Sequence, residues 1–131
     1  MKTNYKLTLA VLAGVSIGVA GGKAIQAQQV KAPPAYVIAE IAVTDPNSTD
    51  LQKYVKEVPE TLAPFNHHYL VRAGKTQALE GEPPNTIVVI AFDSAEKARE
   101  WYDSPAYEAI RPYRQSATKS RLFIAEGIAP E

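Results

Sequence analysis

The chain contains no cysteine. That absence removes disulfides, thiolate nucleophiles and zinc–thiolate centres together. Histidine is nearly as scarce, with His67 and His68 the only two. Adjacent residues of a strand point to opposite faces, so this pair does not ligate one metal. Net charge is missing as well, since 14 basic residues balance 14 acidic ones, and a balanced chain has no electrostatic footprint for nucleic acid. There is no phosphate-cradling glycine loop, no spaced set of metal ligands and no nucleophile-plus-base signature. No cofactor and no metal are therefore expected. A haem would need one of the two histidines as its axial ligand.

What is present begins with a processing segment. Lys2 and Lys6 precede an apolar run, Leu7 to Ala20, broken only by Thr8 and Ser16, and small residues follow. That order predicts a secretory signal over residues 1–27, cut after Ala27, with a cut after Ala24 as the second choice. Two other readings are a buried helix, which lacks a polar face at helical spacing, and an uncut anchor, for which the run is short against the roughly 20 apolar residues a span needs. Removing residues 1–27 takes away three lysines and no acid, leaving 11 bases against 14 acids in the exported chain. The expected location is periplasmic or secreted, with no membrane association after cleavage and no nucleic-acid partner. Residues 28–34, "QQVKAPP", read as a linker, and one domain follows over residues 35–131. About 104 residues support a single small core.

The domain alternates strands and helices. "AYVIAEIAV" (35–43), "HHYLVRA" (67–73), "TIVVIAF" (86–92) and "RLFIAEG" (121–127) are rich in β-branched and aromatic residues. Between the first two, Thr49 and Gln52 form a capping-box pair, and Leu51, Tyr54, Val55, Val58 and Leu62 recur at helical spacing. Pro59 is expected to kink or end that helix one turn early. After the third strand, Asp93 with Glu96 repeats the capping pattern, and Ala95, Ala98, Trp101 and Tyr102 give an inner helical face. Ser104 followed by Pro105 starts another helical segment, a cap with proline at the first helical position. The order predicts an α+β, ferredoxin-like βαββαβ fold with an extra helical segment toward the C-terminus. Its strands are apolar on both sides: Tyr36 and Ile38 oppose Val37, Ile41 and Val43, and Ile87 and Val89 oppose Val88, Ile90 and Phe92. One sheet face covers the helices. The other predicts a homodimer whose sheets pack together.

The segments "AYVIAEIAVTDP", "HHYLVRAGKTQALEG" and "VVIAFDSAEKAREWYDSPAYEAIRPYRQSATKSRLFIAEG" together resemble the domain of unknown function 1330 family, within the dimeric α/β-barrel superfamily. The resemblance covers Ala35 to Gly127, and "WYDSPAY" with the arginines after it is its most recognisable part. It implies a barrel-like dimer with a ligand-sized cavity between sheet and helices, and it implies no activity. Other dimeric barrels include cofactor-free monooxygenases, haem-degrading enzymes and small-lactone isomerases, which is analogy of fold alone.

Candidate site residues follow from chemistry. Strand alternation puts Arg72 on one face with His68 and Leu70; if that face is the inner one, its guanidinium needs a partner, and Glu40 is the partner that charge suggests. The other reading of Arg72 is a carboxylate-binding group in the cavity. Tyr107, Ile110, Arg111 and Arg114 fall at i, i+3, i+4 and i+7, and a purely core stripe does not carry two arginines. These cations either pair with acids such as Asp103 or Glu108 across a dimer or meet an anionic ligand, and Pro112 is expected to distort their helix. Trp101 is expected in the core. The two functions that remain are a module binding a small acidic molecule through Glu40, Arg72, Tyr107, Arg111 and Arg114, and a cofactor-free enzyme using His67 or His68 as base.

Overall fold

A computed structural model describes residues 32–131. The expected signal and the first part of the linker lie outside the described residues. Among the described residues no helix is long and apolar enough to cross a membrane.

The elements are β1 (Ala35–Val43), α1 (Thr49–Leu62), β2 (His67–Gly74), β3 (Thr86–Phe92), α2 (Ala95–Tyr102), α3 (Pro105–Ala117) and β4 (Thr118–Glu126). The four strands form one sheet in the order β2-β3-β1-β4, with every neighbouring pair antiparallel. This is the ferredoxin-like α+β fold that the strand and helix order predicts. β4 begins three residues earlier than its apolar run, because α3 hands the chain directly to Thr118 opposite Val43.

Each helix starts at a serine whose hydroxyl takes an otherwise orphaned backbone N–H. Ser48 accepts from Leu51 N, Ser94 from Lys97 N, and Ser104 from Tyr107 N. The first two caps sit one residue from the capping pairs expected at Thr49 and Asp93, while the Ser104–Pro105 start stands where the sequence puts it. Pro59 does not end α1. It lies on the exposed side, so the carbonyl that loses its N–H partner is that of half-solvated Val55, and burial of Val58, Thr61 and Leu62 carries the helix to its last turn. Pro112 is likewise exposed, and α3 runs through it to Ala117.

The register sorts the strands by face. Val37 lies between Ile90 and Ile124, and Ala39 between Val88 and Leu122, all toward the helices. The core centres on Trp101, which is 1% exposed, with its ring 5.6 Å from Phe92 and 4.2 Å from Tyr107. Its indole N–H donates to Thr61 Oγ1 at 3.0 Å, so the buried polar edge is satisfied.

β2 breaks its own alternation. Its pairing with β3 shifts between Tyr69 and Val71, and again between Arg72 and Gly74. Tyr69 opposes Ile90 and Arg72 opposes Val88, so both point inward, and Leu70 is left outside at 58% exposure. Arg72 therefore does not share a face with His68 and Leu70, as uninterrupted alternation requires; the bulge at Leu70 reverses it. Gly74 closes the irregularity where a Cβ would lie 2.8 Å from Val71. Beside it Ala73 adopts φ of 54°, left-handed backbone that an L-residue with a side chain resists. Ala73→Gly is expected to stabilise the fold by about 0.5–1 kcal/mol, seen as a higher melting temperature. A lower one would mean that the Ala73 methyl packs against something worth more than the strain.

Candidate functional site

Between the inner sheet face and α1 lies a cavity of about 310 Å³. Small Ala39 makes its floor deep, with Val37, Val88, Ile90 and Leu122 around it, while Leu51, Tyr54 and Val58 of α1 roof it. Among the residues lining it the only charged ones are Arg72 and Arg114, and none is acidic.

Arg114 is brought there by the stripe on α3. Tyr107, Ile110 and Arg114 are all buried, at 0%, 5% and 5% exposure. Its Nε has no hydrogen-bond partner, and no carboxylate among the described residues lies within ion-pair distance. The guanidinium stands 5.9 Å from the centre of the Tyr54 ring. Thr118 Oγ1 donates to the Arg114 carbonyl at 2.8 Å, fixing the last turn of α3. On its other side Arg114 faces a polar recess of about 240 Å³ shared with Gln115, Thr118 and Ser120. A cation taken out of water with no counter-charge costs several kcal/mol.

The tyrosines supply neutral hydroxyls. Tyr54 and Tyr107 meet oxygen to oxygen at 2.9 Å, their rings edge to face. Burial pushes the Tyr54 phenol well above the ordinary tyrosine value, the Tyr107 hydroxyl adds to the rise, and the nearby Arg114 charge only partly opposes it. Tyr69 is raised too, mainly by burial, with Arg72 opposing. These phenols donate and accept hydrogen bonds; they do not act as bases near neutral pH.

The other candidates are dispersed. Arg111 is spent on structure: its Nη2 donates to the Tyr102 carbonyl at 2.6 Å, and its guanidinium stacks 4.1 Å over the Tyr102 ring. It does not line the cavity, and neither does Tyr107, which lies behind the wall residues Tyr54 and Trp101. Glu40 sits on the outer face opposite Arg121, whose Nε donates to Glu40 Oε2 at 2.6 Å, so the expected pairing with Arg72 is not made. Asp103 is held by Arg99 at 2.8 Å. His67 donates from Nδ1 to the Phe65 carbonyl at 2.8 Å, and His68 is exposed on the outer face; neither lines the cavity. An open groove of about 440 Å³ around Glu40 and Arg121 is larger; those two charges pair with each other, and Glu82 and Lys119 also line it. Among the described residues no group of three His, Asp or Glu side chains is placed to hold a metal ion.

Sequence reasoning missed Tyr54, Tyr69 and Thr118 as lining residues. Tyr54 and Tyr69 carried the one available signal, an amphipathic aromatic at an inward position, whose polar end must find a partner when buried.

A family model described as domain of unknown function (DUF1330) matches residues 34–128. No curated protein sequence matches the chain. Among solved structures, the fold is similar to a protein of unknown function from Rhodopseudomonas palustris, 17% identical, with a TM-score of 0.60 over 82% of this chain and 95% of that one. It is also similar to a dimeric ferredoxin-like protein of unknown function from Thermobifida fusca (14% identical, TM-score 0.52, 76% of this chain and 95% of that one). A third is SnoaB, a cofactor-independent oxygenase from Streptomyces nogalater (15% identical, TM-score 0.50, 76% of this chain and all of that one). At these identities the likeness is one of fold.

Proposed function

The chain belongs to the DUF1330 family, and from that premise we propose that it binds a small acidic organic molecule in the cavity between its sheet and α1. The observation that carries this reading is Arg114, a buried cation with an unpartnered Nε in the wall of an otherwise apolar cavity. A bound anion supplies the missing counter-charge, and a guanidinium fork suits a carboxylate. The apolar walls take the rest of the ligand, and the Tyr54 hydroxyl adds a neutral hydrogen bond. Glu40 and Arg111, assigned to the site by charge and spacing, have no part in it, and Tyr107 acts from behind the wall by orienting Tyr54 and packing against Trp101.

The second reading, a cofactor-free enzyme with a histidine base, draws on SnoaB's description as a cofactor-independent oxygenase. It loses its base here, because neither imidazole lines the cavity. We also propose that two copies associate through the outer sheet faces, where Tyr36, Ile38, Ile87, Val89 and Phe123 are in part exposed. The Thermobifida fusca neighbour, described as dimeric, supports that arrangement.

Trp101 is the only tryptophan and lies in the cavity wall, so its fluorescence reports occupancy. Titration with cyclohexanecarboxylate is expected to give a saturable change with Kd of roughly 1 mM or below, and the corresponding neutral amide none. Equal binding of the amide, or no binding of either, overturns the acid-binding reading.

A further inference from the structure

We infer that the cavity is shaped for a dianion, an elongated organic acid with an apolar middle, one anionic end on Arg114 and the other on Arg72. This rests on the acid-binding reading and extends it to the class of acid.

Arg72 reaches the cavity wall only through an irregular strand. Continuous alternation from Tyr69 sends residue 72 to the outer face. Instead the chain spends one residue on a bulge at Leu70, leaving that leucine 58% exposed, and returns through a second shift with Ala73 at φ of 54°. Bulges re-aim side chains beside sites, and left-handed backbone at a residue other than glycine persists where the surroundings hold it. The result is a guanidinium lying 4.9 Å over the Tyr69 ring in the cavity wall, with no carboxylate among the described residues within ion-pair distance.

The two cations take opposite sides of the cavity. Arg72 belongs to β2 and opposes Val88, which opposes Ala39, which opposes Leu122 on β4; these four form one row across the sheet. β2 and β4 are the two edges, three strand spacings or about 14 Å apart. Arg114 borders the β4 side, sharing its recess with Thr118, Ser120 and Leu122. Between the two lie only the apolar floor residues Ala39 and Val88 and the roof from α1. Two like charges facing one apolar space without an acid raise each other's energy, and an anion at each end relieves both. The ends are unequal: Arg114 is buried, whereas Arg72 is exposed at the mouth and screened by solvent. Arg114 therefore sets whether an acid binds, and Arg72 sets the preference between one charge and two.

The test uses heptanoate and heptanedioate, which share a chain length and differ by one carboxylate, titrated calorimetrically at pH 7.5 into wild type and Arg72→Gln. Wild type is expected to bind heptanedioate roughly three- to tenfold more tightly, with the preference shrinking as salt is added. Arg72→Gln, a substitution at an exposed position of the cavity mouth, is expected to erase the preference by lowering heptanedioate affinity to the level of heptanoate. Equal affinities in wild type, or a preference that survives in Arg72→Gln, overturn the dianion inference and leave the acid-binding reading standing. Binding of neither acid overturns both.

Discussion

Arg114→Met is expected to make the protein more stable and to remove acid binding in one step. In wild type the guanidinium is 5% exposed, its Nε is unpartnered, and no carboxylate of the described residues compensates it. Replacing a buried charge by an apolar side chain of similar volume is commonly neutral or stabilising by about 1–4 kcal/mol. Methionine suits the irregular gap beside Tyr54 and Leu122. For a domain of this size each kcal/mol is worth about 4–8 °C in melting temperature. The ligand loses a charge-assisted, fork-shaped contact to a buried guanidinium, worth about 3 kcal/mol, so affinity for a carboxylate falls about 100-fold.

Opposite signs in the two readouts separate function from structure. A residue kept for packing loses stability when removed; one kept against its own burial cost for a ligand gains it. Thermal melting and Trp101 fluorescence titration on the same sample decide the matter. A lower melting temperature with binding intact would show that Arg114 serves the core and that the anion, if one binds, sits elsewhere. Arg114→Lys keeps the charge and loses the fork, and is expected to bind with intermediate affinity.

Arg111 sharpens the contrast, since it shares the stripe, the helix and even an unpartnered Nε. Its cation is matched by the Tyr102 carbonyl and ring. One turn further along, the Arg114 guanidinium has the Tyr54 ring and hydroxyl beside it, and among the described residues no carboxylate pairs with it. Spacing alone assigns both arginines to one face; the structure divides them by what each reaches.

The same division runs through the rest of the chain. The fold was legible because β1 and β3 are apolar on both faces and the helices repeat their inner residues at 3.6 spacing, signals that survive in short windows. Trp101, at the inner end of such a pattern, is buried as its spacing requires. The site was legible only in part, for reasons of pairing. Whether Glu40 meets Arg72 or Arg121 depends on strands 81 residues apart lying side by side, which no local pattern contains. The face of Arg72 depends on a bulge whose residues, Leu70 and Val71, are ordinary strand formers and carry no turn signal. Pro59 misled because its effect depends on whether the lost hydrogen bond faces core or solvent. The histidines were singled out by rarity, and rarity says nothing of where a strand entrance points.

Val89→Asp is expected to turn a dimer into a monomer. Val89 lies on the outer face between Ile38 of β1 and Val71 of β2, near the middle of the apolar surface that also carries Ile87, Tyr36 and Phe123, the last 44% exposed. Soluble chains seldom leave a contiguous apolar face of that kind uncovered. The Glu40–Arg121 pair and exposed His68 give the same face polar positions of the sort that rim an interface. In a two-fold pairing each substitution occurs twice, so two carboxylates enter the interface without partners. At roughly 2 kcal/mol or more apiece the loss is about 1,000-fold in association, enough to separate the chains at micromolar concentration. Light scattering of wild type and variant at about 10 μM checks it, and a monomeric wild type would sink the paired-sheet arrangement. The cavity provides the control. Its floor residues Val37, Ala39, Val88, Ile90 and Leu122 lie on the helix side of the sheet, away from Val89, so the monomeric variant is expected to keep the wild-type Trp101 response to acid. A response lost together with the dimer would instead mean that the partner chain completes the cavity.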